Sequence, residues 1–182
     1  MSNILITGAT GFIGSNITRK IVNSENRVVL FVKQNSNLWR LNEIISKCEV
    51  HKVDLLEAKH LTKKIKTIKP DIVFHCASYG VLSYQKDANL IIQTNVAGTN
   101  NLMSALAEIG SVRKFINLGS TFEYGPKYND ILETEITEPV SLYGIAKVAQ
   151  TNLARYFALQ RGLPTLTLRI FTPYGPYEQT GR

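Results

Sequence analysis

Cysteine is scarce in this chain of 182 residues, with Cys48 and Cys76 its only two. Two such residues make neither a disulfide framework nor a zinc site by themselves, so no metal centre and a reducing, cytoplasmic setting are expected. Tryptophan occurs once and methionine twice. No apolar run approaches the roughly 18 residues of a membrane helix, which argues against a membrane protein. The opening Met1-Ser2-Asn3-Ile4 lacks the basic and long apolar stretches of a secretory signal.

Net charge of one sign is missing from most of the chain. The formal charge is +7, but residues 71–182 carry 9 basic against 9 acidic side chains, while residues 1–70 carry 12 against 5. Much of that excess is Lys59, Lys63, Lys64, Lys66 and Lys69, interleaved with Leu61, Ile65 and Ile68. Such spacing reads as the solvated face of an amphipathic helix, not as a nucleic-acid surface. The remaining field suits a polyphosphate ligand.

What is present is a core and a regular alternation. At 44% hydrophobic and 19% charged, the composition suits one globular domain. Strand-like runs begin at Asn3, Arg27, Glu49, Asp71, Lys114 and Thr165. Helical periodicity separates them at 12–23, 38–47, 57–67, 87–109 and 143–161. Residues 121–141 are polar and turn-rich, and Pro173 to Arg182 show no period. Continuous Val/Ile/Leu strands alternating with helices predict an α/β domain with a doubly wound parallel sheet.

Three glycines, Gly8, Gly11 and Gly14, follow the first strand and open the first helix. Glycine permits the tight turn and lets backbone N–H groups approach a pyrophosphate at the positive helix end. The spacing is G-x-x-G-x-x-G, not the G-x-G-x-x-G of the standard dinucleotide fingerprint. In the phrase Thr7-Gly8-Ala9-Thr10-Gly11-Phe12-Ile13-Gly14 it resembles the extended short-chain dehydrogenase/reductase family, which holds the nucleotide-sugar epimerases, dehydratases and reductases. The resemblance implies a Rossmann fold over residues 1–172, with Gly8, Gly11, Phe12, Ile13 and Gly14 against the dinucleotide.

Further segments extend it. An acidic side chain ending the second strand would bond the ribose 2′-hydroxyl of NAD, whereas a basic one accommodates the 2′-phosphate of NADP. Lys33 stands there with no acid beside it, which favours NADP; the alternative is an exposed lysine without ligand contact. Asp54-Leu55 resembles the family's adenine-edge contact; a helix N-cap is the competing reading. Cys76, Ala77 and Ser78 resemble the small residues on which ribose and phosphates lie. His75 beside them reads as packed and hydrogen-bonded. Asn95-Val96-Ala97-Gly98-Thr99 resembles the family's N-x-x-G-T phrase and implies that Asn95 lies near the active site.

Tyr143 and Lys147 form a Tyr-x-x-x-Lys pair, so both side chains share one helical face. A phenol near pKa 10 is a poor base at neutral pH, and a neighbouring ammonium favours the phenolate. The tyrosine can then exchange a proton with a substrate hydroxyl. Gly119-Ser120-Thr121-Phe122-Glu123-Tyr124-Gly125 resembles the family's catalytic Ser/Thr loop. Counting back from Tyr124-Gly125 selects Ser120, with Thr121 the competing neighbour. The 4,6-dehydratases carry Asp-Glu after the catalytic residue; Thr121 and Phe122 stand here, and Glu123 is offset and expected to point elsewhere. Epimerisation or 4-keto reduction is therefore favoured. Leu168 to Tyr177 resembles the family's L-R-x-x-N-x-Y-G-P stretch, with Thr172 in place of Asn, and puts Pro173 over the nicotinamide.

These matches imply an NAD(P)-dependent enzyme acting on a nucleotide-sugar, with a homodimer formed through the helices near 87–109 and 143–161. Members of the family continue into a C-terminal substrate lobe. Residues 173–182 read as its beginning, and a fragment or truncated reading frame is expected. Two other readings stand beside this one: an NADPH-dependent reductase of a non-sugar ketone, and a non-catalytic dinucleotide-binding module.

Overall fold

The computed structural model describes residues 1–178. The end of the predicted second-lobe segment, 179–182, lies outside the described residues. Runs of Ile, Leu and Val form the central strands, because a strand covered on both faces leaves no side for polar groups. They are β1 (Asn3–Thr7), β2 (Arg27–Val32), β3 (Glu49–Lys52), β4 (Ile72–His75), β5 (Lys114–Ser120) and β6 (Thr165–Ile170). All pair in parallel in the order β3-β2-β1-β4-β5-β6. This is the predicted doubly wound Rossmann sheet.

The helices are α1 (Phe12–Ile21), α2 (Ala58–Ile68), α3 (Ala88–Ile92), α4 (Gly98–Ile109) and α5 (Leu142–Arg161). Each face of the sheet carries its own core, sorted by alternation along the strands. Ile4 and Ile6 of β1 pack with Val28, Leu30 and Leu41, and with Ile17 and Ile21 of α1. Leu5 points to the other side, among Val29, Val73, Leu61, Ile65, Leu102 and Phe157. The apolar stripe of α2 is buried there while Lys59, Lys63, Lys66 and Lys69 face solvent. The lysine run is thus a solvated helix face.

Two predicted helices differ from expectation. Residues 38–47 are two short 3₁₀ turns, Trp39–Leu41 and Ile45–Lys47, interrupted at Ile44, whose φ of −124° and ψ of −8° break the ladder. Leu38, Leu41, Ile44 and Ile45 still pack onto the core. The spacing of three from Leu38 to Leu41 to Ile44 suits a 3₁₀ turn, where i and i+3 eclipse, as well as it suits an α-helix. The 87–109 helix is interrupted by a π-turn over Gln93–Ala97, which joins α3 to α4. Asp87 caps its start by accepting from Leu90 N at 3.0 Å. Gly110, at φ +61°, ends it in the left-handed conformation that glycine adopts without strain. Ser141 likewise caps α5.

Candidate active site

Strand order reverses between β1 and β4, and the crevice beyond their carboxyl ends is where open α/β sheets place ligands. Two adjoining cavities of about 260 and 240 Å³ occupy it and share Gly8, Gly11, Cys76 and Ser78. Gly8 takes φ +67°, and a Cβ there would sit 2.5 Å from Ala77 N. A Cβ on Gly14 would sit 2.3 Å from Gly8 O. The first helix is therefore pressed against the turn by backbone contact. Gly11, its N-cap, offers no side-chain acceptor, so the first-turn N–H groups remain available to an anion. Phe12, Ile13 and Gly14 line the second cavity with Tyr143 and Lys147.

The first cavity extends to Lys33, Asp54, Leu55, Ala77 and Ser78. Lys33 Nζ lies 3.8 Å from Asp54 Oδ2, so the fold brings to Lys33 an acid from just after β3 that the sequence order had not placed beside it. Asp54 Oδ1 accepts from Leu56 N at 3.0 Å, closing a turn. It is not the cap of α2, which starts at Ala58 after Glu57.

His75 is fully buried and structural, as expected. Thr99 Oγ1 donates to Asn95 O at 2.7 Å, so it must accept from His75 Nε2, 2.8 Å away. That assigns the proton to Nε2 and makes Nδ1 the acceptor of the Thr7 hydroxyl at 2.7 Å. Burial, with the positive Lys147 nearby, holds the imidazole down to about 3. Burial pushes the Cys76 thiol up to about 12, so it stays protonated.

Asn95 does not reach the groove. From the π-turn its amide brackets the backbone of Tyr79, accepting from N at 3.1 Å and donating to O at 2.7 Å. Tyr79 itself lines the first cavity. Asn95 therefore shapes the wall from behind, through Tyr79, beside the groove and not within it.

Tyr143 opens α5, and Lys147 follows one turn later on the same face. The Phe122 ring meets the Tyr143 ring edge-on, with centroids 5.7 Å apart. Lys147 is buried; its ammonium donates to Leu118 O and to Gln150 Oε1. Burial lowers its pKa to about 8, against the opposing pull of Glu123. Ser120 ends β5, and its Oγ accepts from Phe122 N at 3.3 Å, leaving the hydroxyl proton to be donated. Ser120, Thr121, Tyr143, Thr172 and Pro173 line a third cavity of about 400 Å³. Tyr143 belongs to both this cavity and the one bearing the glycine turn. Pro173 lines the third cavity, which shares Ile13, Val81, Gly119, Tyr143 and Glu178 with the second.

Glu123 points away, as its offset predicts. Its carboxylate is wholly buried and accepts from Ser120 N, Thr151 Oγ1 and Arg169 Nε, each at 2.9 Å. Glu123 thus contributes no carboxylate to the third cavity; among the described residues its lining includes the acid Glu178. Sequence reasoning missed Asn117, Gln150 and Arg40. Arg40 bridges Thr10 O at 3.3 Å and Tyr177 O at 2.7 Å, beside the glycine turn. Only the i, i+3 placement of Gln150 relative to Lys147 was a usable signal.

The family described as NAD dependent epimerase/dehydratase matches residues 4–182. A dTDP-glucose 4,6-dehydratase of Neisseria meningitidis is 29% identical over 97% of this chain and 55% of its own. A UDP-glucose 4-epimerase of Mycoplasma genitalium is 28% identical over 96% of this chain and 53% of its own. A crystal structure of the UDP-glucuronic acid 4-epimerase of Bacillus cereus, in complex with NAD, is similar with a TM-score of 0.85 at 29% identity. It covers 97% of this chain and 58% of that one. The chain spans about half the length of the curated relatives it matches.

Proposed function

The chain belongs to the NAD dependent epimerase/dehydratase family, and from that premise we propose that it binds NAD(P) and carries the acid–base residues for epimerising or reducing a nucleotide-sugar at C4. The observation that carries this reading is that Tyr143 lines both the cavity holding the glycine turn and Lys147 and the adjoining cavity holding Ser120. The bound dinucleotide supplies a reversible two-electron acceptor for the carbinol carbon. Tyr143 takes the proton from the 4-hydroxyl, and the positive Lys147 favours its phenolate. Ser120, whose oxygen already accepts from Phe122 N, donates to the sugar oxygen and holds it against Tyr143.

The nucleotide-sugar class is supported by the relatives, which are named for UDP- and dTDP-sugars. C4 chemistry without dehydration is supported by the loop itself. Thr121 and Phe122 stand where an elimination needs acids, and Glu123 is bound to Arg169. Lys33 supports a preference for NADP, because its ammonium lines the first cavity and would pair with a 2′-phosphate, against the opposing charge of Asp54 at 3.8 Å. NAD itself is the ligand of the Bacillus cereus neighbour. No helix among the described residues is long and apolar enough to cross a membrane. Exposed Leu90 and Ile92 on α3, with Ile145, Tyr156 and Leu159 on α5, support a homodimer through these helices.

The test is to incubate the protein with NAD⁺ or NADPH and a panel of UDP- and dTDP-hexoses and their 4-keto forms, then resolve the products. A C4 epimer or a 4-hydroxy sugar is expected. Accumulation of a 4-keto-6-deoxy sugar would overturn the exclusion of dehydration. Separate NAD⁺ and NADP⁺ titrations of Trp39 fluorescence test the Lys33 assignment, with NADP⁺ expected to bind more tightly.

A further inference from the structure

Behind Lys147 runs a chain of buried amides that the proposed chemistry does not use. Gln150, one turn along α5, presents Oε1 to the Lys147 ammonium. Its Nε2 donates to Asn117 Oδ1 at 2.7 Å. Asn117, on β5, donates through Nδ2 to Thr167 Oγ1 on β6 at 3.2 Å. Lys147, Gln150 and Asn117 are all buried, the last two completely.

The polarity of this chain follows from its first member. An ammonium has donors only, so Gln150 must turn its oxygen toward Lys147 and its NH₂ toward Asn117. Asn117 must then offer its own oxygen, which sends its NH₂ to Thr167. The ammonium has three protons; Leu118 O and Gln150 Oε1 take two. One remains for the groove that Lys147 shares with Tyr143.

We infer that Gln150, oriented by Asn117, is the positioning residue of Lys147: it takes one ammonium proton so that a single N–H and the positive charge are held toward Tyr143 and the groove. The inference rests on the reading of Tyr143 and Lys147 as the acid–base pair. The other titratable groups facing Lys147 leave the relay as an independent control. His75 and Cys76 at the end of β4 are neutral near pH 7. Glu123, on the turn after β5, is paired with Arg169 of β6.

Two substitutions keep every bond while moving charge. In Gln150→Glu, one carboxylate oxygen accepts from Lys147, Asn117 turns its NH₂ to the other, and the Thr167 hydroxyl donates to Asn117. In Asn117→Asp, the carboxylate accepts from Gln150 and from the Thr167 hydroxyl. The first places a negative charge directly on the ammonium, and the second places it one residue further away.

The readout is the tyrosinate absorbance titration of the chain itself, with Tyr143→Phe supplying the baseline, alongside NMR titration of the Lys147 side chain. It needs no turnover. The parent should show a Tyr143 midpoint below the usual phenol value. Gln150→Glu should raise it by about one pH unit and raise the lysine midpoint with it. Asn117→Asp should raise it by less than half as much. A parent midpoint at the ordinary phenol value would remove the acid–base reading on which the inference rests. A lowered parent midpoint that Gln150→Glu leaves unmoved, or that Asn117→Asp moves as far, would overturn the positioning role alone. If thermal melting shows Gln150→Glu to be unfolded, Asn117→Asp carries the test, and an unmoved midpoint there overturns it.

Discussion

Replacing Gly14 by alanine sets two effects of opposite sign against each other. Gly14 lies inside α1, where alanine is the better helix former by about 1 kcal/mol. Propensity alone therefore predicts stabilisation. The structure predicts the reverse. The new Cβ would stand 2.3 Å from Gly8 O and 2.9 Å from both Gly8 C and Ala9 Cα. These are backbone atoms, so no rotamer change relieves the overlap; either α1 or the turn must move. Overpacking of this kind costs about 1–3 kcal/mol, and forced backbone movement puts Gly14→Ala at the upper end. After the propensity gain, a net loss of about 2 kcal/mol corresponds to a Tm lower by about 4–8 °C. The displaced turn also misaligns the N–H groups that face a pyrophosphate, and dinucleotide affinity should fall at least about tenfold. Differential scanning calorimetry and a titration of Trp39 fluorescence with NAD(P)⁺ measure the two effects. An unchanged or raised Tm together with parental affinity would refute the argument that backbone contact, and not helix propensity, governs this position.

Two further perturbations read the buried polar groups. His75 titrates near 6.5 in the unfolded chain and near 3 when folded. Between those values only the unfolded state takes the proton, so stability falls as pH falls, by up to about 1.4 kcal/mol per unit. Urea melts of His75→Gln should show a shallower acid slope than the parent, and identical slopes would contradict the assignment. Glu123→Gln leaves Arg169 without its carboxylate and should cost about 2–3 kcal/mol, toward the low end for a broken buried pair because Arg169 is partly exposed. A loss below about 0.5 kcal/mol in a urea melt would show that the pair does not hold the Ser120 loop.

The strands and the phosphate-binding turn were legible because each rests on a local rule. Uninterrupted Ile, Leu and Val mark strands covered on both sides, and Gly8 and Gly14 sit where a Cβ would meet backbone. The pairing of Tyr143 with Lys147 was legible through helical spacing. What escaped depended on contacts between distant segments. Leu38, Leu41 and Ile44 repeat every three residues, a period that two turn types share, and only the backbone, broken at Ile44, shows that no α-helix forms there. The π-turn at Gln93–Ala97 has no sequence mark of its own, yet it places the Asn95 amide on Tyr79 and not in the groove. The Asn117–Gln150 relay joins β5 to α5 across 33 positions, beyond the reach of any periodicity. Glu123 could be excluded from the chemistry by its offset, but its bond to Arg169 appears only once β6 lies beside β5.

The central claim is that one groove both holds the dinucleotide and presents Tyr143 to a sugar hydroxyl. Its most direct test compares the parent and Tyr143→Phe in two assays on the same preparations: NAD(P)⁺ affinity, and formation of reduced nicotinamide on mixing with nucleotide-sugars. The phenylalanine variant should bind the dinucleotide within about twofold of the parent while its rate falls by about 10²–10⁴-fold, the share that a positioned acid–base group supplies. A rate retained in the variant, or affinity lost together with the rate, would contradict the account.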